Sequence, residues 1–122
     1  MTIPANNIRA IRWADASLEK IEAGYSEVVL RINEDSGRSM VCRCIGHIGI
    51  QMIGMWDEVI IDAARLHTQH SFITECEARV KDLPQYEAES RRANGNQLLE
   101  VVLIDDCKLW VCAQEFRCEQ PA

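Results

Sequence analysis

Two segments of the chain carry the same pattern. Glu27-Val28-Val29-Leu30 is followed by a polar stretch and then by Met40-Val41-Cys42; Glu100-Val101-Val102-Leu103 is followed by a shorter polar stretch and then by Trp110-Val111-Cys112. Short runs rich in β-branched residues, separated by turn-forming residues, are satisfied by a β-hairpin and by little else. The first turn carries Asp35, Ser36 and Gly37, which suit tight turns, and Asp105 and Asp106 serve the second. The echo is either an internal duplication or the common look of hairpins, because β-branched residues favour strands everywhere. Both readings give two hairpins, over residues 27–44 and 100–114.

The rest of the chain is organised around them. Residues 18–22 read as a strand turning through Ala23 and Gly24 into the first hairpin; a short helix with Gly24 after its C-terminus is the competing reading. In residues 46–62, Ile48, Ile50 and Met52 alternate with Gly49, Gln51 and Ile53, a period of two. This predicts a strand, ended by Gly54, then a turn at Met55, Trp56 and Asp57, then a second strand over 58–66. Both are expected near the middle of a sheet, with the apolar face that includes Ile50 buried. Gly49 inside the strand marks a bulge or a close approach of another element. The glycines do not lead into a helix, so a nucleotide-binding loop is not indicated.

One helix is clear. Ile73, Cys76, Val80 and Leu83 fall at i, i+3, i+7 and i+10, Ser71 suits an N-cap, and Pro84 stops the run. Glu75–Arg79 and Glu77–Lys81 form i,i+4 pairs on the outer face. Residues 84–96 read as a polar loop with a helical turn at 87–92, and residues 1–7 and 119–122 as frayed ends. The expected fold is one α+β domain: a mainly antiparallel sheet of about six to eight strands built from hairpins, with one helix packed on it.

Charge and cysteines bound the function. Nineteen acidic against thirteen basic residues give a formal charge of −6 over 122 residues, which disfavours nucleic acid and anionic membranes as partners. No apolar run is long enough for a membrane span, and polar residues interrupt the start of the chain where an export signal needs an apolar segment. A cytoplasmic protein is expected. Its six cysteines, at 42, 44, 76, 107, 112 and 118, then read as buried free thiols rather than disulfides. Cys42, Cys44 and His47 are the nearest approach to a metal cluster, but a zinc site needs about four ligands, so neither metal nor cofactor is expected.

No catalytic set stands out. Cys44, His47 and Asp57 could be assembled on paper, but nothing in the sequence lowers the pKa of the thiol. His67 and His70 read as exposed loop histidines. His47 is a candidate cleft residue beside Trp56 or Asp57, where a carboxylate neighbour would suit a general base. The candidate ligand-binding set is therefore His47, Met55, Trp56 and Asp57, in a pocket between sheet and helix to which Met52 would contribute.

Residues 15–32 and 46–62, "DASLEKIEAGYSEVVLRI" and "GHIGIQMIGMWDEVIID", resemble small uncharacterised bacterial proteins of the kind carried on integron mobile gene cassettes. The resemblance implies a cytoplasmic accessory protein and supplies no catalytic residues. The leading expectation is an interaction module, either a homo-oligomer such as a homodimer or a binder of a protein partner. A small-molecule-binding domain is the alternative, and an enzyme ranks third.

Overall fold

The computed structural model describes residues 7–54, 59–84 and 95–121. After a short 3-10 turn, Ile8–Ala10, come strands β1 (Ser17–Ala23), β2 (Glu27–Asn33), β3 (Ser39–Ile45), β4 (Gly49–Ile53) and β5 (Ile61–His67). Helix α1 (Ser71–Lys81) follows, then β6 (Gln97–Leu103), β7 (Lys108–Ala113) and β8 (Glu115–Glu119). This is the α+β fold the hairpins require, with eight strands and one α-helix among the described residues. Residues 18–22 are strand, within β1. Both echoed segments are hairpins, β2–β3 and β6–β7, turned at Gly37 and at Asp106, where the backbone is left-handed. Asp105 Oδ1 accepts from the Cys107 amide at 3.1 Å and fixes the second turn.

The strands form two antiparallel four-stranded sheets, ordered β1-β2-β3-β8 and β4-β7-β6-β5. Each echoed hairpin is the central pair of its own sheet. Each sheet is completed by a strand from the other half of the chain: β4 follows β3 but pairs with β7, and β8 follows β7 but pairs with β3. The two crossings run side by side, with the Ile48 amide on the Cys112 carbonyl at 2.8 Å and the Gln114 amide on the Ile45 carbonyl at 3.2 Å. The correspondence of the halves is not a residue-by-residue repeat. Glu-Val-Val-Leu opens β2 at residues 27–30 but closes β6 at residues 100–103.

One apolar layer joins the sheets. Val28, Leu30, Ile32, Cys42 and Cys44 of the first sheet share a core with Leu99, Val101, Leu103, Leu109 and Val111 of the second, and Phe116 is fully buried among them. The alternate residues of β6 and β7 face the opposite side, where Leu98 and Cys112 pack against Phe72, Ile73 and Cys76 of the helix. Strand β6 is thus covered on both faces, which is why it reads as a near-continuous apolar run. Gly49 lets the helix sit down on this face: a Cβ there would overlap Cys76 Sγ and meet Phe72 Cζ at 3.3 Å.

Five expectations are corrected. Strands β4 and β5 are not in the middle of a sheet; they are the two edges of the second one, and do not pair with each other. Ile50 is 38 % exposed and Met52 53 % exposed, since β4 is an edge strand and gives no residue to the shared core. The helix is capped by His70, not Ser71, with His70 Nδ1 accepting from the Phe72 amide at 3.0 Å. Glu75 pairs with Arg79 as expected, but Glu77 turns to Asn96 Nδ2 at 2.9 Å and ties the helix to the start of β6. Asn7 and Glu119 are also held, not frayed. Asn7 brackets Cys118, its Nδ2 donating to the carbonyl at 2.9 Å and its Oδ1 accepting from the amide at 2.6 Å, and Glu119 ends β8. The helical turn expected at 87–92 lies outside the described residues.

A buried carboxylate clamps the N-terminal segment to the β2–β3 turn. Glu34, 4 % exposed, takes two hydrogen bonds from Arg38 at 2.6 and 2.7 Å and one from the Arg12 amide at 2.7 Å. Arg38 also reaches the Ala10 carbonyl at 3.0 Å. The Arg38 bonds first, and the Arg12 amide second, hold the Glu34 carboxyl down at about 2 against burial that works to raise it.

Two expectations follow from this packing. Gly49→Ala should destabilise the fold by about 1–3 kcal/mol, the range for overfilling a packed site, measured by urea unfolding. For Glu34 the folded pKa is depressed, so its stabilisation is complete above the ordinary value of 4.5 and is lost as pH falls towards 2. The stability gap between wild type and Glu34→Gln, measured by unfolding at a series of pH values, should close across that window.

Candidate functional site

Of the residues the sequence put forward for ligand binding, His47 is half-buried in the connection between β3 and β4. Its neighbours are fixed there by the Gly46 amide on the Ser26 carbonyl at 3.0 Å and by the crossing bond of Ile48. Met55, Trp56 and Asp57 lie outside the described residues. Met52, assigned to a pocket between sheet and helix, is exposed on β4.

All six cysteines are free and buried. Cys42 and Cys118 face each other across β3 and β8, and Cys76 of the helix lies against Cys112 of β7. Burial, with Cys76 adding to it, pushes the Cys112 thiol up to about 12, so it stays protonated and inert as a nucleophile at neutral pH. Among the described residues no three of His, Cys, Asp and Glu come together in a way that could hold a metal ion.

The densest polar chemistry lies where the sequence reading did not look for it, on the helix-side face of the second sheet. Glu100 projects from the middle of β6 and is only 7 % exposed. Trp110 Nε1, opposite it on β7, donates to Oε2 at 2.8 Å, and His67 Nε2 of β5 meets Oε1 at 3.2 Å. Arg65 stands off at 4.0 Å. Burial works to raise the Glu100 carboxyl, but the bonds from Trp110 and His67, aided by the charges of His67 and Lys108, bring it below its usual value. The His70 ring packs edge-on against Trp110 at 4.8 Å and lies 5.4 Å from His67, while the Phe72 ring lies tilted 5.4 Å from the indole.

His67 and His70 are therefore half-buried members of a network, not exposed loop residues. The sequence held one clue. A carboxylate at position 100 interrupts an otherwise apolar β6, and a buried charge needs partners. The network satisfies Glu100, locks three strands together, and joins them to the cap of α1.

The other unusual feature is an edge. A sheet edge presents unpaired amides and carbonyls, and proteins guard edges with charge or cover. Strand β1 carries Glu19, Lys20 and Glu22; β5 carries Asp62 and Arg65; β8 carries Glu115, Arg117 and Glu119. The start of β1 and the start of β5 are stitched together by the Leu18 amide on Val59 at 2.8 Å and the Ile61 amide on Ala16 at 2.7 Å. Asn7 closes part of β8. Strand β4, Gly-Ile-Gln-Met-Ile, has no charge and no proline, and no described residue pairs with its outer side.

Among the described residues no helix is long and apolar enough to cross a membrane. In comparisons with protein-family models, with curated proteins and with solved structures, none matches this chain.

The network reading has a direct consequence. Glu100→Gln keeps the shape but replaces a charged acceptor of two bonds with a neutral amide. It should lower the unfolding free energy by about 1–3 kcal/mol, measured by urea denaturation.

Proposed function

We propose that the protein is a self-associating interaction module whose two copies join through β4. The observation that carries the reading is the contrast among the four sheet edges: three are charged, and β4 alone is neutral and apolar, with no described residue paired along its outer side. A neutral edge is a template for another strand. The strand suits a copy of itself. Antiparallel pairing of residues 49–53 about a two-fold axis sets Gln51 against Gln51 and Ile50 against Met52 of the second copy. Ile50 and Met52 lie on one face, so pairing gathers four half-exposed apolar side chains into one patch. The overall charge of −6 repels two copies in general, and the absence of charge on β4 makes this edge the least repulsive place to meet.

Joining two β4 strands would merge two four-stranded sheets into one of eight strands across the dimer. A cytoplasmic setting, where thiols stay reduced, fits the six free cysteines. An accessory role of the kind implied by the resemblance to cassette-borne proteins suits a chain whose chemistry is recognition rather than turnover.

The two-fold register sets the test, read by sedimentation velocity. Wild type should be a dimer. Gln51→Lys and Gln51→Glu should each shift towards monomer, because like charges then face each other directly. An equimolar mixture of the two variants should recover the dimer. A wild type that stays monomeric at every concentration, or a dimer indifferent to both substitutions, contradicts the proposal.

A further inference from the structure

Helix α1 is capped by a group that titrates. An N-cap side chain accepts a hydrogen bond from the first turn, and Ser, Thr, Asp and Asn do so throughout the neutral and mildly acidic range. Here the acceptor is an imidazole nitrogen: His70 Nδ1 takes the Phe72 amide at 3.0 Å. That nitrogen accepts only while it carries no proton. Protonation puts an N–H where the lone pair was, so the ring and the Phe72 amide then meet hydrogen to hydrogen. It also sets a positive charge at the positive end of the helix dipole. No acidic residue stands in the first turn to offset that charge.

The groups around His70 decide what acid does here. From β5, the His67 ring lies 5.4 Å away, and its Nε2 meets Glu100 Oε1 at 3.2 Å. From β6, Glu100 bonds to His67 and Trp110, not to His70, with Arg65 at 4.0 Å and the charge of Lys108 also acting on it. From β7, Trp110 gives His70 a ring contact at 4.8 Å and no charge. On α1, Glu75 and Arg79 pair with each other at 2.7 Å. Acid therefore acts in opposite senses on the two rings. A protonated His67 gains an ion pair with Glu100, whereas a protonated His70 loses its bond to Phe72 and faces a second cation in His67.

The rest of the helix is held separately. Glu77 bonds Asn96 Nδ2 at 2.9 Å, and Ile73, Cys76 and Val80 are buried. Phe72, in the first turn, is the residue whose amide the cap holds, and its ring lies 5.4 Å from Trp110 and against Gly49 of β4. We propose that the first turn of α1 is an acid-released clasp: protonation of His70 uncaps the helix and loosens Phe72 from Trp110 and Gly49, while the sheet and the remainder of α1 stay in place. The clasp is built within one chain, so it holds whether or not β4 pairs with a second copy.

The test is amide hydrogen exchange on the full chain between about pH 8 and about pH 5, the range that brackets ordinary histidine titration. Rates are read as protection factors, so that the pH dependence of exchange chemistry itself is divided out. On acidification the Phe72 amide should lose protection by at least about fivefold, in keeping with the loss of a cap. The Val80 amide and the amides of β6 should hold steady within about twofold over the same range. His70→Asn supplies a cap that does not titrate and should keep the Phe72 amide protected at both ends of the range. His67→Gln should leave the step in place, since the trigger is the cap and not the ion pair. No step in wild type, a step that survives His70→Asn, a step abolished by His67→Gln, or an equal loss of protection across α1 and the strands would each overturn the proposal.

Discussion

The apolar layer between the two sheets draws on both halves of the chain, and the remaining structure follows from keeping it closed. Val28, Leu30 and Ile32 find the facing side of their core only in Leu99, Val101 and Leu103, some seventy residues later. The exchange of β4 and β8 makes this dependence mutual. Each half lends its last strand to the other's sheet, so neither sheet is complete without the other. Burial of the shared layer is the dominant favourable contribution, and the crossing strands make it a property of the whole chain.

The two exchanged strands meet different fates. Strand β8 contributes Phe116 and Cys118 to the core and is bracketed by Asn7 along its outer side. Strand β4 gives no residue to that core, and its main role in packing is the gap left by Gly49, into which the helix settles. The N-terminal segment thus finishes one lent strand through Asn7, while no described residue pairs along the outer side of the other. The open, neutral edge is a consequence of this imbalance, and the proposed self-association rests on it.

The sequence made the hairpins, the helix and the buried thiols legible because each depends on local pattern: a period of two, a period of 3.6, and the habit of free cysteine to behave as a small hydrophobe. Strand order was not legible. Alternation at Ile48, Ile50 and Met52 shows that the side chains share a face, but the same alternation describes a central strand and a half-exposed edge. The polar network escaped for a related reason. His67, Glu100 and Trp110 belong to three strands, and only the β5–β6–β7 register brings them together. Glu100 alone signalled it, as an acid in a strand otherwise fit for burial. The cap of α1 shifted by one residue because an imidazole nitrogen at His70 took the role that a serine hydroxyl ordinarily fills.

The central claim is that the open side of β4 pairs with a second copy of itself. Amide hydrogen exchange along Gly49–Ile53, followed as the protein is diluted, tests this most directly, because backbone pairing protects amides and side-chain contact alone does not. The account predicts that amides on the outer side of β4 are protected at high concentration and exchange freely when dilute, while those bonded to β7 hold steady. Outer-side exchange that is fast at every concentration, or protected at every concentration down to the monomer, would contradict it.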